Sequence, residues 1–422
     1  MKPNEYDLII NEAREVLTDR IVKNENTGRF LYTCPSPNIY PHQWLWDSAF
    51  HSIVWTYFDI ENAKQELITV VKKQFNNGMI PHMSYWRRSP SFIGRVTDWI
   101  FKNYPEKDRS SITQPPVIGE AVEIVYEKSN DTKWLSKMIG PLIKYFNWFY
   151  SERNIDDDGL VVVIHPWETG MDMLPCWDQF IGVKKLFQVR SGLWLNRLIK
   201  RYNRVNWNIK KIIDMDLFVV KDVSFNVIYI LGLQALARLC EKIGDNENAQ
   251  IFLTRSQQAL KSLEDKSWNS SAKFYFDLYS RSDDQINELT VSGLFPILLY
   301  IDKKRAKLII EEHILNKDEF WTNYPIPSVS VSSPKFSPKS SFLLWRGPTW
   351  LNTNWYLIKG LLKQGYKQEG NELIKKSIAL INKSGLWEYY NPITGKGLGA
   401  KNLGWSTLIV DIIQKYLIKE IE

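Results

Sequence analysis

Apolar positions recur along the chain with a spacing of three and four residues, the signature of amphipathic helices. The first segment, about Glu5 to Val22, sets Leu8, Ile9, Ala13, Val16, Leu17 and Ile21 on one stripe. Similar stretches fall near 47–57, 60–76, 115–128, 131–151, 188–202, 219–243, 247–263, 288–300, 303–315, 348–363, 366–382 and 404–418. Strand-like runs are short, Leu160–Ile164 among them. Five times a helix is expected to end in a short polar turn and a second to begin at once: around Asp59, Asn130, Asp245, Asp302 and Gly365. Asp and Asn cap helices and Gly turns chains tightly, so each stretch reads as an αα-hairpin.

Between hairpins the connections are long: about 24–46, 77–113, 152–187, 264–287, 316–347 and 383–403. Alternating short and long links place all short turns on one rim of a ring and all long loops on the other, with the first and last helices closing a sixth pair. The expectation is an all-α (α/α)6 toroid formed by residues 1–422 as a single catalytic domain. Long loops without regular structure are uncommon unless functional, so the site belongs on their rim. A helical solenoid is the alternative architecture, but the loops are too long and the repeats too irregular for it.

Composition sharpens this picture. Of the 422 residues, 44% are hydrophobic and 24% charged, ordinary for a globular chain, but 18 Trp, 20 Tyr and 19 Phe are not ordinary. Many Trp stand beside Asp, Arg, Asn or Gln, a mixture suited to stacking on sugar rings while binding their hydroxyls, though most aromatics are expected simply to fill the core. The net charge of +7 is spread without a block of five or six like charges, which argues against a nucleic-acid partner. Cys34, Cys176 and Cys240 lack metal-ligand spacing, and the five histidines form no metal motif. No metal and no cofactor is expected. The N-terminus lacks the apolar stretch of a signal peptide, and no run approaches the ~20 apolar residues of a membrane span. The expected setting is cytoplasmic, without a membrane partner. The oligomeric state is left open, a homo-oligomer included.

The unusual clusters fall in the long loops. Asn38–Phe50 surrounds Asp47 with Tyr40, Gln43, Trp44 and Trp46, although Asp47 alone would fit an acid in a helix's first turn. Pro166–Asp178 holds Glu168, Asp172 and Asp178 among Trp167, Met171, Met173 and Trp177. An apolar setting raises a carboxyl pKa, as a general acid requires, but loop acids also cap helices. Gly385–Thr407 sets Glu388 between Trp387 and Tyr389 before a glycine-rich loop. Leu344–Trp355 carries Arg346, able to pair with an acid or to bind substrate oxygens. No GxSxG elbow is present.

These clusters resemble the clan of inverting α-glycosidases that includes trehalases, processing α-glucosidases and bacterial mannosylglycerate and glucosylglycerate hydrolases. QWLWDSAFH (43–51), Gln114–Pro116, WETGMD (167–172), WRGPTWLNTNW (345–355) and WEYYNPITGKGLGAKNLGWST (387–407) occur in that clan's order, and the chain is most similar to the glycerate-cleaving branch. The resemblance implies an (α/α)6 barrel and hydrolysis of a small α-linked glucoside or mannoside with inversion. Asp172 would be the general acid and Glu388 the general base, roughly 6.5–9.5 Å apart to admit a water. Tyr40, Trp44, Trp46, Asp47, Gln114, Gly170 and Trp345 match positions lining the sugar subsite, with Arg346, Trp350 and Trp405 near it.

Two departures stand out. Met173, Leu174 and Cys176 replace the clan's Asn, Ser and Arg, and Ile212–Asn226 holds no Arg where the glycerate-cleaving branch has one. Both favour a neutral aglycone over glycerate, unless Arg201 or Arg204 substitutes. Glucosylglycerate or mannosylglycerate hydrolysis is thus one alternative. Others are an epimerase working through His42 or His82 and a carbohydrate-binding protein without activity.

Overall fold

The computed structural model describes residues 3–24, 30–89, 95, 104–181, 188–279, 281–339 and 344–418. Parts of the expected long connections (25–29, 90–94, 96–103, 182–187 and 340–343) lie outside them. The main helices are α1 (Pro3–Thr18), α2 (Leu45–Trp55), α3 (Ile60–Val71), α4 (Ile118–Ser129), α5 (Thr132–Glu152), α6 (Gln188–Arg204), α7 (Ile209–Met215), α8 (Val223–Lys242), α9 (Asn246–Lys266), α10 (Lys303–Leu308), α11 (Leu351–Lys363), α12 (Lys367–Ser384) and α13 (Ile409–Ile413).

A ring closes through the helices whose residues are buried nearly all round. α2 packs on α4, α4 on α8, and α8 on the segment Val291–Leu298. That segment packs on α11, α11 on Gly404–Leu408, and Gly404–Leu408 back on α2. Each inner member carries an outer partner: α3, α5, α9, the stretch from α10 through Ile314, α12 and α1 respectively. The outcome is the (α/α)6 toroid, with the first helix completing the last pair as the pattern of links required. Helices buried on every side must be apolar on every side. This explains α8, which is long and apolar enough to span a membrane but sits mostly buried in the inner ring.

All five short turns form where expected, through local chemistry. Asp59, Asp131, Asp245 and Asp302 cap the outer helices by accepting backbone N–H groups, Asn130 adopts the left-handed conformation, and Gly365 has φ +88°.

Three details differ from the sequence expectation. Two inner members, Val291–Leu298 and Gly404–Leu408, are 3-10 helices rather than α-helices. Pro296 lacks an N–H to donate, and Gly293 lies so close to Phe274 that a Cβ would stand 2.1 Å from its ring. The helix α7 was not foreseen; Asn208 caps it and Ile212 and Ile213 bury. Leu160–Ile164 forms no strand, Val163 alone bridging to Val220. The ladders that do form are small and join the long loops, such as Gln43–Trp44 with Met83–Ser84 and the hairpin of Trp387–Tyr390 with Gly397–Lys401.

Candidate active site

Five of the six long connections, all but 264–287, meet at one cavity of about 480 Å³ with its open mouth included. Its wall draws on the chain from Pro35 to Trp405 and holds Tyr40, Trp44, Trp46, Asp47, Gln114, Gly170, Asp172, Trp345, Trp350, Glu388 and Trp405, all singled out from the sequence. Pro35, His82, Leu344 and Leu403 complete it. Of these, the sequence names His82 only for an epimerase, Leu344 and Leu403 fall inside the singled-out clusters without a role of their own, and Pro35 carries no signal. The five short hairpin turns contribute nothing to the wall. Three inner members, α2, α4 and α11, begin at or just after wall residues.

The aromatic lining is tightly ordered. Trp345 and Trp350 stack in parallel with centroids 3.8 Å apart, and Trp405 meets both Trp350 and Trp46 at 5.7 Å. Trp345 has φ +66°, a left-handed conformation costly for a bulky residue and tolerated where surrounding packing enforces it. Gly170 (φ +72°) allows the indole of Trp46 to lie against the backbone, where a Cβ would approach it to 2.4 Å.

Three carboxyls share this wall and no lysine or arginine joins them among the described residues. Asp172 keeps some surface accessible, as a cavity wall must, while close protein surroundings push its carboxyl up to about 7. Burial is the main cause, and the charge of Glu388 adds to it. Glu388 is also pushed up to about 7 by burial, opposed by two hydrogen bonds that favour its ionised form. Tyr40 Oη donates to Oε1 at 2.9 Å and the Ala400 N–H to Oε2 at 2.8 Å. Those bonds favour the ionised form of Glu388; at Asp172 a hydrogen bond from its own backbone N–H acts in the same direction. Asp47, in the first turn of α2 and 2% exposed, is held well above the ordinary range by burial. No hydrogen bond joins Asp172 to Glu388 among the described residues, although the two sense each other's charge.

Several wall residues carry a buried polar atom without a protein partner: Asp47 Oδ1, Trp44 Nε1, Trp350 Nε1 and His82 Nδ1. Buried polar groups are nearly always satisfied, so these four fit a ligand rich in hydroxyls, while other such atoms lie elsewhere in the core. His82 is neutral there, burial lowering its proton affinity to about 3, and His42 lies outside the wall with its Nε2 3.0 Å from Ser89 Oγ.

The other acids of Pro166–Asp178 have structural partners. Glu168 is buried and receives both terminal nitrogens of Arg153, at 2.9 and 2.7 Å. Asp178 pairs with Arg346, which also donates Nε to the Met173 carbonyl at 2.7 Å. Arg346, expected beside the substrate, is therefore absent from the cavity wall because its donors are taken by the loop behind it. Arg201 and Arg204 are exposed near the end of α6 and do not reach the wall either.

A closed helical ring that brings neutral-range carboxyls together in a tryptophan-walled cavity is a scaffold for acid–base cleavage of sugars, and comparison with known proteins agrees: the protein is a glycoside hydrolase. Over residues 40–406 it matches the mannosylglycerate hydrolase MGH1-like glycoside hydrolase domain, and it belongs to that family. It is 31% identical over 416 residues to the mannosylglycerate hydrolase of Thermus thermophilus, covering 91% of this chain and 97% of the relative. The glucosylglycerate hydrolase of Mycolicibacterium hassiacum is 26% identical, over 90% of this chain and 93% of the relative. Among solved structures, a GH63 mannosylglycerate hydrolase from Thermus thermophilus, in complex with Tris and D-glycerate, superposes with a TM-score of 0.85 at 29% identity, covering 96% and 100% of the two chains. Neutral trehalase of Saccharomyces cerevisiae shares the fold alone, with a TM-score of 0.64 at 14% identity over 96% of this chain and 80% of the trehalase.

Proposed function

We propose that this hydrolase cleaves a small α-linked glucoside or mannoside with inversion, Asp172 acting as general acid and Glu388 as general base. The observation that carries the reading is the pair of pKa-raised carboxyls in one cavity wall, unbonded to each other, with Glu388 held by Tyr40 Oη and the Ala400 N–H, donors that favour its ionised form. The sugar ring lies against the tryptophans, and Asp47 accepts its hydroxyls. Each Glu388 oxygen already receives one protein donor, which fixes the carboxylate and leaves further lone pairs for a water. Glu388 takes that water's proton as its oxygen bonds to C1 from the face opposite the aglycone. Asp172 gives its proton to the glycosidic oxygen as the C1–O bond breaks. The freed sugar is the β anomer.

A second reading concerns the aglycone. The names of the relatives in Thermus and Mycolicibacterium favour glycerate here too. Against it stand Met173, Leu174 and Cys176 and a wall without lysine or arginine among the described residues, which suit a neutral group. Incubation with mannosylglycerate, glucosylglycerate, methyl α-mannoside and methyl α-glucoside, followed by proton NMR, tests both points. The β anomer is expected first in any cleaved reaction. First release of the α anomer would overturn inversion, and cleavage of the glycerate pair alone would decide for the second reading.

A further inference from the structure

The loop carrying Asp172 is gripped on both sides of that residue. Trp177 Nε1 donates to the carbonyl of Met171, the preceding residue, at 3.0 Å. Arg346 Nε donates to the carbonyl of Met173, the following residue, at 2.7 Å. The remaining guanidinium nitrogens form a fork on Asp178, whose other neighbour is Lys335. At the loop's opposite end the Arg153 fork holds Glu168, which also accepts the N–H groups of Ile164 and Thr113 at 2.7 and 3.2 Å. Arg346 is buried, and its chain neighbour Trp345 is part of the cavity wall. A planar fork bound at three points leaves its target little rotational freedom, which a lysine's single ammonium cannot reproduce.

We propose that Arg346 is a positioning residue for the general acid: by holding the Met173 carbonyl and the Asp178 carboxylate together, it aims the Asp172 carboxyl at the glycosidic oxygen. The inference rests on the reading of Asp172 as acid. Its consequence is confined to protonation of the leaving group. A glycosyl fluoride needs no such proton: the C1–F bond breaks with its electron pair going to fluoride, water bonds to C1, and Glu388 receives the water's proton. Misaiming the acid should therefore slow an O-glycoside and spare the fluoride.

The experiment measures kcat and KM of R346K, D178N, W177F and D172N on the best-cleaved O-glycoside and on the matching α-glycosyl fluoride. R346K is expected to lose about 100-fold in kcat on the O-glycoside, the scale of general acid catalysis, with KM and fluoride turnover little changed. Combining R346K with D172N should add little to D172N alone. Equal losses on both substrates would overturn the proposal in favour of a purely structural role, and a rise in KM at constant kcat would place Arg346 on the substrate. Should R346K fail to fold, D178N and W177F loosen the same loop, and the same split between O-glycoside and fluoride supports or overturns the proposal. D172N is the separate control: if it retains O-glycoside turnover, or loses the fluoride as well, the reading of Asp172 as acid fails whatever R346K does.

Discussion

Glu388 is buried where an ionised carboxyl is unwelcome, and the role of base proposed for it requires ionisation. Its carboxyl is raised from the ordinary value to about 7, so the folded protein binds that proton more tightly than the unfolded chain. Stability must then fall as pH rises from about 4.5 through about 7, by roughly 3 kcal/mol for this group. Glu388→Gln removes the titration while an amide can still accept from the Ala400 N–H. The variant should match the wild type in urea denaturation near pH 4 and exceed it by pH 8. A constant difference across that range would mean that Glu388 is not held in this state. Gly399 shows how closely the site is built around this residue: at φ +75° a Cβ there would stand 2.5 Å from Glu388 Oε2. Sequence reasoning found the clusters holding Asp47, Asp172 and Glu388 through their aromatic neighbours, and the resemblance to a known clan picked Asp172 from Glu168 and Asp178. It could not tell which way Arg346 points, because a guanidinium between a cavity and an acidic loop has partners on either side and only packing decides.

Elements formed by local chemistry were legible; those fixed by distant contacts were not. The αα-hairpins announced themselves because an Asp or Asn cap and a glycine turn act within four residues. The 3-10 form of Val291–Leu298 combines a local cause, Pro296, with the close approach of Phe274 to Gly293, which no local window contains. The same holds for Lys221, whose ammonium meets Asp156, Asp158 and Asp283 at 2.7, 2.9 and 2.7 Å. Lys221 lies in a short strand before α8, and its partners come from the loop after α5 and from the segment joining two small strands. With its side chain 2% exposed, this cation fastens three segments, two of them from the long connections 152–187 and 264–287. Lys221→Met is expected to lower stability by about 3 kcal/mol, since it leaves clustered carboxylates facing one another with Lys266 as their remaining counterion. Turnover per folded molecule should persist. Unchanged urea stability would show that the cluster is solvated rather than structural.

At the scale of the molecule, the ring turns residues far apart in sequence into neighbours. Asp172 comes from the third long connection and Glu388 from the last, and neither could meet the other within one hairpin. The outer helices and short turns hold the ring, and the long loops supply the chemistry. The alternation of link lengths therefore pointed to the active rim before any motif was considered. The motifs then supplied most of the wall, while the place of Pro35, Leu344 and Leu403 in it, and of His82 beside the carboxyls, had to await the folded chain. The central claim is that two carboxyls share the work across one sugar-sized cavity, and turnover of folded Asp172→Asn and Glu388→Gln on the best-cleaved O-glycoside tests it most directly. The account predicts a loss of at least about 1,000-fold in each, with sugar binding by calorimetry retained. Turnover near the wild-type rate in either variant would contradict it.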